Sequence, residues 1–179
     1  MEPGPRTPPD SNRPRRAFAY AVVALLAVAG VALLRATRDL LPDALRPLIV
    51  EAAKRHALDA ELVEAVVRAE SRGVPDAVSR AGAIGLMQLT PATASDLARR
   101  EVEPRELLDP RFNLDLGCLY LKRLLARYGD LRLALMAYNA GPGNVDRWRR
   151  QEPDPDRILE DHAFAETRGY VEKVMGYLG

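Results

Sequence analysis

Cysteine is almost absent from this chain: a single residue, Cys118, occurs among 179. One thiol excludes an internal disulfide framework. Histidine is nearly as scarce. His56 and His162 stand far apart with no HExxH or Cys/His cluster around them, so neither a metal site nor a cofactor is expected. His56 reads as a residue near a helix end and His162 as part of a polar loop. Aromatic side chains make up 6%, and beyond residue 16 no basic run interleaves with them. With a formal net charge of +1, a nucleic-acid surface is not expected. No alternating strand pattern exceeds four residues, so the fold class read from the chain is mainly α.

What is present suits one domain of ordinary size plus an extra segment, since 47% of the residues are hydrophobic. Residues 1–16 hold five prolines and four arginines with almost nothing apolar, and are expected to be a disordered cytoplasmic tail. The composition then changes abruptly. Residues 17–34, AFAYAVVALLAVAGVALL, carry no charge and would span roughly 27 Å as a helix, close to the thickness of a bilayer core. They read as one N-terminal transmembrane helix. Arg13, Arg15 and Arg16 directly before it keep the N-terminus in the cytoplasm by the positive-inside rule. The competing reading is a cleaved signal peptide, because Ala27-Val28-Ala29 has the small-x-small form of a processing site. Either way the remainder leaves the cytoplasm. Counting from Arg35 onward, 22 basic residues face 23 acids, so the exported part is near neutral.

After a linker over residues 35–45, helical periodicity dominates residues 46–179. Leu45, Leu48, Ile49 and Ala52 recur at helical spacing, and Asp59 is placed to cap the helix that follows. Thr90-Pro91 starts another helix, the hydroxyl capping and the proline fitting the first turn. Leu114, Cys118, Leu121, Leu125 and Tyr128 form a continuous stripe ended by Gly129. Cys118 is therefore expected in the core, not as a nucleophile. Asp130 opens the next helix and Gly141-Pro142 closes it. The charged stretch 144–165 reads as a solvated loop, and a last helix spans about Ala165 to Leu178.

One acid breaks the pattern. In LVEAVVRAES, Leu62, Val63, Val66, Val67 and Ala69 share one arc, and Glu70 projects from between Val63 and Val66. Glu61, Glu64 and Arg68 point the other way. The following stretch, Gly73 to Thr90, is interrupted by Gly73, Gly82, Gly85 and Pro75, yet it is apolar. An apolar, non-helical loop directly after such an acid looks like the wall of a cleft. Gln88 sits in it among Leu86, Met87 and Leu89, and a buried amide needs hydrogen-bond partners. A second polar island, AYNAGPG, sets Tyr138 and Asn139 at a helix end.

Five motifs in this order, Glu70-Ser71, AVSRAGAIGLMQLTPATA from Ala77, LDPRFNLDLGCLYL from Leu108, AYNAGPGNV from Ala137 and ETRGYVEKV from Glu166, strongly resemble the lytic transglycosylases of the soluble type. The resemblance covers roughly residues 46 to 178. It implies a goose-type lysozyme-like helical domain acting on peptidoglycan glycan strands at the β-1,4 bond between N-acetylmuramic acid and N-acetylglucosamine. Glu70 is then the sole catalytic acid/base. Met87, Gln88, Tyr138 and Asn139 become substrate contacts, joined by Tyr170 and Glu166 of the last motif. Ser71 is expected to orient the acid or the acetamido group of the substrate.

Elementary chemistry agrees with that assignment. Desolvation against Val63, Val66 and the loop at Ile84 and Met87 disfavours the charged form and should lift the carboxyl toward about 6. Ordinary glycosidases pair two carboxylates about 5 Å apart or about 6.5–9.5 Å apart. The next acids in sequence, Asp76 and Asp96, belong to no motif of the family. A substrate-assisted route ending in a 1,6-anhydromuramic product follows. The alternatives are a lysozyme-type hydrolase on the same scaffold and a catalytically idle peptidoglycan-binding protein of an envelope assembly. The expected location is the cell envelope, anchored in the cytoplasmic membrane with the catalytic domain outside the cytoplasm.

Overall fold

The computed structural model describes residues 25–26 and 41–179. The expected tail, the membrane segment apart from residues 25–26, and most of the linker lie outside the described residues. Among those described, no helix is long and apolar enough to cross a membrane.

A 3-10 turn, Asp43–Leu45, leads into α1, Arg46–His56, whose inner face buries Ile49, Ala52 and Ala53. Helix α2, Ala60–Ser71, begins where the Asp59 side chain accepts from the Glu61 amide, and it buries Leu62, Val63, Ala65, Val66 and Val67. Its solvent side carries the Glu64–Arg68 ion pair at 3.0 Å. Thr90 caps α3, Pro91–Ala98, through the Thr93 amide. A 3-10 turn over Pro104–Leu108 precedes α4, Pro110–Tyr128, the longest helix described. Asp130 caps α5, Leu131–Ala140, and α7, Ala165–Leu178, closes the chain. The caps and ends anticipated from Asp59, Thr90, Gly129, Asp130 and Gly141 are where the structure has them.

Stretch 144–165 is not the loop its charges suggest. Helix α6 runs Pro142–Arg149, and a helical turn at Pro155–Arg157 passes into a π-helical turn, Ile158–His162. Four buried residues, Val145, Trp148, Ile158 and Ala163, hold these turns down, too few to show as periodicity. His162 ends the π-helical turn. His56 ends α1, its Nε2 2.9 Å from Asp115 of α4.

Helix α4 packs on α1 and α5, and α2 packs on α1 and α7. Most of the core lies among them and includes Val63, Val66, Leu114, Leu121 and Leu135. Cys118 is fully buried there, and desolvation pushes its thiol up to about 12, so it holds its proton at neutral pH. A second, smaller apolar cluster gathers Ile84, Leu89, Ala94, Leu97, Leu107 and Leu116. The segment between α2 and α3 joins the two: Leu86 and Met87 enter the first, Ile84 and Leu89 the second. Its own backbone forms turns and two isolated bridges, Val78 with Ile84 and Ile84 with Leu89.

Candidate active site

A segment with so little regular structure needs other partners for its backbone. Asn113 of α4, fully buried, supplies two and reaches Leu107 besides. Its Oδ1 accepts from the Met87 amide at 2.8 Å, and its Nδ2 donates to the carbonyls of Ile84 at 2.8 Å and Leu107 at 3.0 Å. The close approach depends on Gly85, where an added Cβ would collide with the Asn113 amide and the Leu107 carbonyl, at a φ of +83°. Gly117 likewise leaves room for the Met87 side chain against α4.

Ser71 ties the same segment to the end of α2. Its hydroxyl donates to the Leu86 carbonyl at 2.8 Å and accepts from the Gly73 amide at 3.1 Å. Two side chains expected at the substrate do not line the cleft. Ser71 is buried and fixes the end of the helix that carries Glu70. The Met87 side chain is fully buried as well; its amide donates to Asn113 and its carbonyl accepts from Tyr138 Oη at 2.9 Å. Motif membership did not reveal which way these side chains face.

Above the segment lies a cleft of about 360 Å³ whose walls bring together Glu70, Gln88, Tyr138, Asn139 and Glu166. Gln88 holds a left-handed backbone, φ 48°, and its Nε2 donates to the carbonyls of Ala77 and Gly85. The amide nitrogen is thereby committed to the loop, and the oxygen is the atom left for a ligand hydroxyl. Asn139 Oδ1 accepts from Thr167 at 2.8 Å, which fixes its rotamer. The structure adds lining residues that sequence reasoning missed: Ser79, Thr90, Thr93 and Tyr120. The Tyr120 ring lies 5.1 Å from that of Tyr138. The signal available for Tyr120 was an aromatic hydroxyl on the polar-side margin of the α4 stripe.

Glu70 stands in the last turn of α2. Burial raises its carboxyl from 4.5 to about 7, further than the sequence suggested. The nearby Tyr170 hydroxyl and the Lys173 charge act in the opposite direction, and Glu166 adds to the rise. The negative end of the helix dipole also disfavours a carboxylate there. Tyr170 Oη is buried beside the acid without closing a well-formed hydrogen bond to any protein atom. A group so placed can hold a proton at neutral pH and deliver it to an atom in the cleft.

Tyr138→Phe removes the donor to the Met87 carbonyl. A loss of about 1–2 kcal/mol in stability is expected, with a several-fold fall in kcat/KM as the Met87-Gln88 turn loosens. Urea denaturation and steady-state assays check it; parental values in both would reduce Tyr138 to packing.

The family model described as the Transglycosylase SLT domain matches residues 47–160. The soluble lytic murein transglycosylase of Escherichia coli (strain K12) is 38% identical over 122 residues, covering 63% of this chain and 19% of that protein. The membrane-bound lytic murein transglycosylase C of Actinobacillus pleuropneumoniae serotype 5b (strain L20) is 35% identical over 180 residues, covering 85% of this chain and 48% of its own. Among solved structures, an inactive mutant of the lytic transglycosylase Slt from Pseudomonas aeruginosa superposes with a TM-score of 0.69 at 37% identity, over 76% of this chain and 23% of that one. The chain thus spans less than half the length of these relatives.

Proposed function

The chain belongs to the transglycosylase SLT domain family, and from that premise we propose that it is a peptidoglycan lytic transglycosylase cutting between N-acetylmuramic acid and N-acetylglucosamine. One observation carries the proposal: the carboxyl of Glu70 is desolvated to about 7 inside a cleft whose other polar lining is hydroxyls and amides together with Glu166. At neutral pH such an acid is present both protonated and ionised, as a group that must first give and then take a proton requires.

Glu70 protonates the glycosidic oxygen as the bond to the anomeric carbon breaks, and the acetamido oxygen of the muramic residue satisfies the carbon that results. The Glu70 carboxylate then accepts the proton of the sugar 6-hydroxyl, whose oxygen displaces the acetamido group to give the 1,6-anhydro ring. Gln88, Tyr138 and Asn139 hold the sugars, and Tyr170 offers its unsatisfied hydroxyl near the reacting centre. The second reading is a hydrolase, favoured by Glu166, a further carboxylate on the cleft wall. Mass spectrometry of fragments released from isolated cell wall separates them. Anhydro ends are expected; reducing ends that vanish in Glu166→Gln would establish the hydrolase.

The proposal extends to location. Residues 17–34 anchor the protein in the cytoplasmic membrane, residues 1–16 stay in the cytoplasm, and the catalytic domain from residue 46 works in the envelope. The uncharged run and its flanking arginines support this, and one relative is named as membrane-bound. Membrane fractionation of the full-length chain decides it.

A further inference from the structure

Glu166, Tyr170 and Lys173 recur at i, i+4 and i+7 of α7, one stripe of that helix, and α7 packs against α2. Tyr170 meets the acid and Glu166 lines the cleft. Lys173 reaches the far side: its Nζ donates to the carbonyl of Ala69 at 2.9 Å, the residue before Glu70. In the last turn of a helix the carbonyls lack an intrahelical donor. Arg68 is served by the Arg72 amide and Ser71 by the Val74 amide, and Ala69 is served by this lysine. A cation is also the favoured partner for the negative end of a helix.

We propose that Lys173 is a positioning residue for Glu70, fastening the last turn of α2 and setting a positive charge against the negative charge of Glu166 across the acid. The proposal rests on the transglycosylase reading and adds to it the device that sets the working pH. The two charges act oppositely on the carboxyl: Lys173 favours its anion and Glu166 its protonated form, with burial the larger influence over both. The other titratable groups against the acid are phenols, Tyr138 from α5 and Tyr170 from α7, and burial keeps both protonated. The segment between α2 and α3 presents the neutral amide of Gln88 to the cleft. The charge balance at the acid is therefore set by one helix, from two positions seven residues apart. Lys173 is half-buried and Glu166 exposed, so salt screens the glutamate more than the lysine.

The test is a titration of the Glu70 carboxyl by carbon-13 NMR on full-length protein in detergent, the resonance identified by its loss in Glu70→Gln. Lys173→Met should titrate at higher pH than the parent, Glu166→Gln at lower pH, and Lys173→Arg at the parental value. The alkaline limb of kcat/KM should move in the same order, about tenfold in rate for each pH unit of displacement above the midpoint. A Lys173→Met midpoint equal to or below the parental one, even with a lowered Tm, overturns the proposal by leaving the lysine a merely structural role. Midpoints that move as expected in a protein releasing no glycan fragments would instead sink the enzymatic reading and leave the charge pairing intact.

Discussion

Replacing Glu70 with glutamine is expected to lower kcat on isolated cell wall by about 10²–10⁴-fold, the range over which a positioned general acid acts, while fold and glycan binding persist. The same substitution has a second, opposite signature. Folded Glu70 keeps its proton to about 7, whereas the unfolded chain releases it near 4.5. Its favourable contribution is therefore complete below the unfolded value and is lost as pH rises through about 7. Ionised Glu70 then weakens the fold by roughly 2–3 kcal/mol, discounted for the cleft opening. Glutamine has no proton to lose. Calorimetry should find the variant more stable than the parent at pH 8 and equal to it at pH 4. An inactive variant with no stability gain at pH 8 would mean that this carboxyl is solvated, and a variant cleaving at the parental rate would remove Glu70 from the chemistry.

The second large effect is expected at Asn113. Alanine there leaves the Met87 amide and the Leu107 carbonyl without their side-chain partner, and the Ile84 carbonyl with the Leu89 amide alone, in a site that water does not reach. At about 1–3 kcal/mol for each of the two unpaired groups, partly relieved by relaxation, a total of about 2–4 kcal/mol is expected. Activity should fall with it, since Gln88 and the Tyr138 contact ride on the same turn. Asn113→Asp is the sharper probe. Its side chain still accepts from Met87 but, ionised, cannot donate to the two carbonyls, and an unpaired buried charge adds a further penalty. Denaturation midpoints near the parental value in both variants would show that the segment is held without Asn113, by its apolar contacts and the Ser71 and Tyr138 bonds.

Much of this architecture was legible because local rules and burial agree. Asp59, Thr90 and Asp130 cap where their side chains can reach free amides, and the stripe on α4 follows the period of the helix. Glu70 was conspicuous because a carboxylate interrupts an apolar arc. Asn113 was not, since a lone amide in a helix says nothing about a partner 26 residues earlier in the chain. Ser71 and Met87 were placed at the substrate because they stand in motifs, yet both turn inward, and only the path of the backbone determines that. Lys173 escaped notice for a similar reason: on α7 it reads as a solvated charge until α2 is laid against it. Stretch 142–162 was obscured by composition, with arginines and acids outnumbering the few residues that pin it down.

The segment between α2 and α3 is fastened over residues 84–87, where it lines the cleft, by Ser71, Asn113 and Tyr138. Its conformational entropy is surrendered when the chain folds, not when a sugar arrives. An incoming strand meets a groove of settled shape, so association loses little to ordering the protein, and binding energy from remote sugar units is left to distort the ring at the scissile bond.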